Sequence, residues 1–278
     1  MPDPLPLLGA GDVRRLLAEH GLHPTKRRGQ NFVTDPNTLR RIVRDAGVEA
    51  GDLVVEVGPG LGSLTLALLE AGARVHAVEL DRGLAVALAQ VAGAPRDDLA
   101  ITVADALDVD YAALTGGEPA VMVANLPYNV ATPILLTALR HGGLTGYHLM
   151  VQKEVGERWV ARSGDRAYGA VSVKIALLAS ARIAGTVSRQ AFHPIPNVDS
   201  VTVDLRPHAD VDLSAVEQTI AIVESGFSQR RKLLRNAMAG EGLRPADIDT
   251  QLEAAGLPLT IRAEQLSVDD WVRLAALA

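Results

Sequence analysis

Short apolar runs alternate with helix-length amphipathic stretches over the first two-thirds of the chain, and the pattern changes near residue 206. Leu53-Val54-Val55-Glu56-Val57 is a β-branched run ending at Gly58-Pro59-Gly60-Leu61-Gly62, after which 63–71 has helical spacing. Further strands are predicted at 74–78, 99–103, 120–124, 147–152, 182–187 and 201–205, with helices at 131–140, 153–161 and 169–179. Helices at 12–20 and 36–46 precede them, the second with Asp35 as N-cap and Pro36 at its first position. Beyond Arg206-Pro207 the strand runs cease, and 214–225, 229–239, 245–255 and 268–277 read as helices punctuated by Pro245, Gly256 and Pro258. Alternating strands and helices predict an α/β fold built on a parallel sheet. The expected division is a domain at 1–206 followed by a small all-α domain at 207–278.

Strand, glycine turn and helix in direct succession form a ligand-binding context. Glycines let the backbone pass close to a ligand, and the helix N-terminus offers unpaired amides. The spacing through Gly58, Gly60 and Gly62 is not that of dinucleotide-binding loops, and the acid at Glu56 disfavours a pyrophosphate. A sulfonium cofactor fits better. Glu79 ends the next strand, where an acid can bind ribose hydroxyls. Asp105 follows the third strand and is placed to accept from an adenine amino group. The fourth strand delivers Asn125-Leu126-Pro127-Tyr128 to the carboxyl end of the sheet, where ligands of open α/β sheets bind. An amide, a prolyl kink and an aromatic ring make a flat polar slot suited to a planar nitrogen base. Asn125 would hold an exocyclic amine and Tyr128 would stack on the ring. Phe192 precedes His193-Pro194-Ile195-Pro196, a proline-stiffened loop able to hold a side chain outward. With aromatics at only 3% of the chain, a Phe here points to function.

Composition narrows the class. A 278-residue chain with 48% hydrophobic and 22% charged residues is a soluble globular protein. The absence of cysteine excludes disulfides and thiolate metal sites, and the seven histidines show no metal spacing, so no metal is expected. No secretory signal and no apolar run long enough for a membrane span are visible, so a cytoplasmic monomer is expected. The net charge of −6 is unevenly spread. Residues 45–121 carry a net −10, whereas 23–44 carry +5 and 227–238 carry +4. Charges are screened over about 8 Å at physiological salt, so such patches act independently. Arg27, Arg28, Arg230, Arg231, Lys232 and Arg235 are the candidates for binding nucleic-acid phosphates.

Taken together, Gly29-Gln30-Asn31-Phe32, Glu56 to Gly62, Glu79-Leu80-Asp81, Asp105-Ala106, Asn125 to Tyr128, Phe192 to Ser200 and Phe227-Ser228-Gln229-Arg230-Arg231-Lys232 resemble the ribosomal RNA adenine dimethyltransferases. The resemblance is strongest to the bacterial small-subunit type and runs from about residue 12 to the C-terminus. It implies a class I methyltransferase fold, a Rossmann-like seven-stranded sheet with its last strand antiparallel, and a helical C-terminal domain. It implies S-adenosyl-L-methionine as cofactor, leaving S-adenosyl-L-homocysteine. The substrate would be two adjacent adenosines in the 3′-terminal hairpin of 16S rRNA within a 30S precursor, dimethylated at N6 during small-subunit biogenesis. Carried over by position, Asn31 and Val33 border the cofactor, Gly58 approaches its amino-acid end, Glu79 binds ribose and Asp105 contacts adenine. Asn125 lies between cofactor and base, and Tyr128 and Phe192 sandwich the base. Departures from the pattern are Arg28 before Gly29 and Ala104 before Asp105. The rival functions are a 23S rRNA adenine methyltransferase conferring resistance and a non-catalytic ribosome assembly factor.

Overall fold

The computed structural model describes residues 6–22, 31–229, 232–240 and 244–277. The chain runs α1 (Ala10–Glu19), β1 (Phe32–Val33), α2 (Pro36–Asp45), β2 (Leu53–Val57), α3 (Ser63–Glu70), β3 (Arg74–Glu79), α4 (Arg82–Val91) and β4 (Leu99–Val103). Next come α5 (Tyr111–Thr115), β5 (Ala120–Asn125), α6 (Ala131–His141), β6 (Gly146–Gln152), α7 (Lys153–Val160), α8 (Ala170–Leu178) and β7 (Ala179–Val187). The remainder is β8 (Phe192–His193), β9 (Ser200–Pro207), α9 (Leu213–Phe227), α10 (Leu234–Ala239), α11 (Pro245–Ala254) and α12 (Val268–Ala275).

Seven strands form one sheet in the order β4-β3-β2-β5-β6-β9-β7. β2 pairs in parallel with β3 and β5, β5 pairs in parallel with β6, and β9 runs antiparallel to β6. Strand order reverses between β2 and β5, which opens a crevice beyond their carboxyl ends. The central strands are apolar on both faces, with Val54, Val55, Met122, Val123 and Ala124 all buried. Helices cover both sides of such a sheet, so its strands read as runs rather than alternations. Local signals set the covering helices. The Asp35 carboxylate accepts from Thr38 N at 3.0 Å to start α2, and Asp81 accepts from Gly83 N at 2.8 Å to start α4.

The chain separates into two compact units, residues 1–156 with 182–206, and residues 157–181 with 207–278. The segment 157–181, which the sequence pattern grouped with the sheet, thus clusters with the C-terminal helices. Tyr168, Phe227 and Trp271 centre the second unit's core, with ring centroids 6.0 Å apart for Tyr168–Phe227 and 5.6 Å for Phe227–Trp271. Phe227, part of a basic motif in the sequence, is thus a packing residue. In the same core, α9 runs on to Phe227 and α10 begins only at Leu234, where the sequence predicts helices at 214–225 and 229–239. No helix among the described residues is long and apolar enough to cross a membrane. Among those residues, no cluster of three or more His, Asp or Glu side chains is arranged to hold a metal ion.

Candidate active site

The crevice between β2 and β5 holds a cavity of about 220 Å³, lined mainly by the glycine turn, the tip of β3 and the slot after β5. The backbone of the glycine turn is set by left-handed residues. Gly58 has φ +69°, and a Cβ there would touch Pro127 Cδ at 3.4 Å. Gly60 has φ +59°, and a Cβ would lie 2.8 Å from Phe32 Cε1. Only a bare backbone leaves room for the ring of Phe32 to lie over the turn.

Phe32 belongs to β1, which pairs antiparallel with β8 so that Val33 faces Phe192. Thr34 N donates to the Ala191 carbonyl at 2.8 Å and completes this strap. The strap fixes the key amide: Asn125 Nδ2 donates to the Asn31 carbonyl at 3.0 Å. Only the amide nitrogen can donate to a carbonyl, so Oδ1 is left as the acceptor. That Oδ1 is buried and has no hydrogen-bond partner among the described residues. Ser63 Oγ, at the start of α3 and also on the cavity wall, is likewise buried without a partner among the described residues. Unpartnered buried polar atoms are costly, and two on one cavity wall mark where a polar ligand binds.

The acids come from the strand tips. Glu79 accepts from Gly60 N at 3.0 Å and from Asp81 N at 2.9 Å, tying the β3 tip to the glycine turn. Burial raises the Glu79 carboxyl above the ordinary range, opposed by these amides. Glu56, on the same cavity, accepts from Thr65 Oγ1 at 2.6 Å, and burial pushes it up to about 8. With Asp81 there are three acids on the wall, and no Lys, Arg or His among the described residues that line it.

Of the expected site residues, Asn31, Val33, Gly58, Gly60, Glu79, Asn125, Leu126 and Pro127 line the cavity. Tyr128 stands beside it, half-buried, its hydroxyl 2.9 Å from Ser200 Oγ, and burial raises its phenol. Asp105 is not on the wall. It is exposed, and its carboxylate accepts from Leu107 N at 2.9 Å within its own turn. Phe192 departs from expectation: it is 2% exposed and belongs to the hydrophobic core, because pairing with Val33 turns its ring inward. Among the basic candidates, Lys232 is exposed. Arg235 is instead held by Asp249 at 3.0 Å. Arg27, Arg28, Arg230 and Arg231 lie outside the described residues. Phe32, Ser63 and Asn129 also line the cavity and were not singled out from sequence. Phe32 follows Asn31 directly, but nothing in a pattern of residue types brings it over Gly60.

Comparison with known proteins gives the family. A family model described as ribosomal RNA adenine dimethylase matches residues 22–278. A protein of Leifsonia xyli named ribosomal RNA small subunit methyltransferase A is 51% identical, over 98% of this chain and 99% of its own. One of Thermobifida fusca with the same name is 48% identical, over 97% of this chain and 95% of its own. Among solved structures, the 23S rRNA methyltransferase ErmE superposes with TM-score 0.64 at 25% identity, over 88% of this chain and 98% of that one. A dimethyladenosine transferase from Plasmodium falciparum shares the fold with TM-score 0.69 at 24% identity, over 87% of this chain and 95% of that one. The chain is a member of the ribosomal RNA adenine dimethylase family, an enzyme of the S-adenosyl-L-methionine-dependent rRNA methyltransferases.

Proposed function

We propose that this protein transfers methyl groups from S-adenosyl-L-methionine to N6 of two adjacent adenosines near the 3′ end of 16S rRNA. The working species would be a single chain acting in the cytoplasm on a precursor of the 30S subunit. The single observation that carries the reading is Asn125 Oδ1, buried and without a hydrogen-bond partner among the described residues, on a side chain that lines an acidic cavity. Full-length identity of 51% and 48% to small-subunit enzymes, against 25% to a 23S enzyme, supports 16S over 23S rRNA.

The residues present fit the cofactor. The glycine turn offers bare backbone beside Phe32, Glu79 has carboxylate lone pairs beyond those given to Gly60 and Asp81, and the wall is acidic toward a cation. Gly58, Gly60, Asn31, Val33, Glu79 and Asn125 would hold it, and Asp105 would reach its adenine from the rim. When bound, the cofactor supplies an electrophilic methyl on a positive sulfur. The chain's part is orientation. Asn125 Oδ1 would accept one N6 hydrogen and the Leu126 carbonyl the other, turning the nitrogen lone pair toward the methyl. Both acceptors also stabilise positive charge growing on that nitrogen. Alignment of reacting groups is worth up to about 7–11 kcal/mol. Pro127 fixes the backbone that aims the Leu126 carbonyl.

The base has to leave its stack, and an aromatic platform returns about 1–3 kcal/mol. Tyr128 would provide it, steadied by Ser200. Phe192 would contribute a second face only by leaving the core. Lys232, with Arg230, Arg231 and Arg235, would contact rRNA phosphates from the helical unit, and Arg27 and Arg28 would do so near Asn31. The test is methyl incorporation from labelled cofactor into 30S particles lacking these methylations, alongside free 23S RNA. Label in the small-subunit RNA supports the proposal, and label only in 23S RNA rejects it.

A further inference from the structure

Glu56 lines the cavity yet has no part in orienting the base. It sits on β2 opposite Ala77 of β3, so its side chain shares a sheet face with Glu79, two residues further along β3. It is 2% exposed and its one hydrogen-bond donor is the Thr65 hydroxyl of α3. Among the described residues, no charged group on the elements around it neutralises it. On β3, His76 lies on the opposite face against Thr102, Arg74 is paired with Glu118 at the far end, and Glu79 is itself an acid. On α3 the only titratable side chain, Glu70, is taken by Arg40 of α2 at the surface. Asp81 before α4 adds negative charge, Arg82 of α4 is exposed, and β1 and β5 carry no ionisable side chain.

Two buried carboxyls on one wall, with no cation among the described residues that line it, cannot both ionise cheaply. We propose that Glu56 holds a proton while the cavity lacks its cationic ligand and releases it when S-adenosyl-L-methionine binds. Binding is thereby coupled to deprotonation of a carboxyl that then balances the ligand's charge. This inference rests on the cofactor assignment above. Burial raises the carboxyl most and the Glu79 charge adds to it, while the Thr65 hydroxyl opposes them by favouring the ionised form.

Calorimetric titration of the full chain with S-adenosyl-L-methionine, in buffers of different ionisation enthalpy, reads the proton directly. With the free carboxyl at about 8, wild type releases about 0.9 proton more than Glu56→Gln at pH 7.0. Wild-type affinity rises about 20-fold more than that of Glu56→Gln between pH 6.0 and 7.5, because the bound form requires the ionised carboxyl. Thr65→Val keeps the proton release and weakens binding at pH 7.0, and it provides a second variant with an intact Glu56. Equal proton counts for wild type and Glu56→Gln, or a buffer-independent wild-type enthalpy, overturn the proposal. Failure of the wild type to bind this cofactor would instead reject the assignment of function.

Discussion

Gly60→Ala probes the strap and the turn together. Its φ of +59° is left-handed, where an L side chain costs about 1–2 kcal/mol. The added methyl would also stand 2.8 Å from Phe32 Cε1 and 3.2 Å from Cδ1, inside the 3.5–4.0 Å or so of a good carbon contact. The ring cannot retreat freely, because Phe32 is buried and its strand is pinned to β8. Overpacking of this kind costs about 1–3 kcal/mol, so the total is about 2–5 kcal/mol. At about 2–4 °C per kcal/mol for a unit of this size, the melting temperature falls by about 4–20 °C. Moving the strap also drags the Asn31 carbonyl from Asn125, so turnover falls further than stability alone accounts for. Differential scanning calorimetry and single-turnover methyl transfer measure both effects. Phe32→Leu in the Gly60→Ala background removes the clashing ring atoms and restores part of each. A Gly60→Ala protein that melts and turns over as wild type does would refute the reasoning.

Asn125→Ala removes the acceptor and lowers the single-turnover rate by about 10²-fold or more, far more than it lowers cofactor affinity, as read by rapid quench and calorimetry; the opposite split would make Asn125 a cofactor ligand alone. Phe192→Ala empties a core site and destabilises by about 3–5 kcal/mol in chemical denaturation; a fully stable variant with weakened RNA-dependent turnover would return the ring to the base. Glu56→Gln melts higher than wild type at pH 8, because a carboxyl whose folded-state value is about 8 against 4.5 unfolded increasingly disfavours the fold as pH rises between those limits. That advantage shrinks as the pH falls toward 4.5, and a pH-independent difference would contradict it. Affinity for 30S particles falls steeply with salt, and Lys232→Ala reduces the logarithmic slope by about 0.7–0.9 if that residue meets a phosphate.

The sheet was legible because its strands are apolar on both faces and bounded by glycine turns and caps, as at Val54 to Gly62 and Asp81. The strap was not. β1 and β8 are two residues each, too short for any periodicity, and their pairing joins positions 159 and 161 residues apart in sequence. For the same reason Phe32 was missed and Phe192 was expected outside. A proline-flanked aromatic looks identical in sequence whether its ring turns out to solvent or back into a core. Residues whose place follows from a strand's end, such as Glu79 and Asn125, were found at the cavity. Asp105 also sits at a strand end, but its side chain is drawn into a local turn by Leu107 N. The segment 157–181 reads as ordinary helix, and only the contacts of Tyr168 and Val173 with the core of α9 to α12 reveal where it packs.

The central claim is that the cavity between Gly60, Glu79 and Asn125 takes the cofactor so that its methyl faces the slot at Asn125 to Tyr128. A crystal structure with bound S-adenosyl-L-homocysteine tests it most directly. The account predicts ribose hydroxyls on Glu79 and the sulfur beside Asn125, with Asn125 Oδ1 still without a partner from the protein. A ligand bound elsewhere, or an Asn125 Oδ1 already satisfied by the protein, would contradict it.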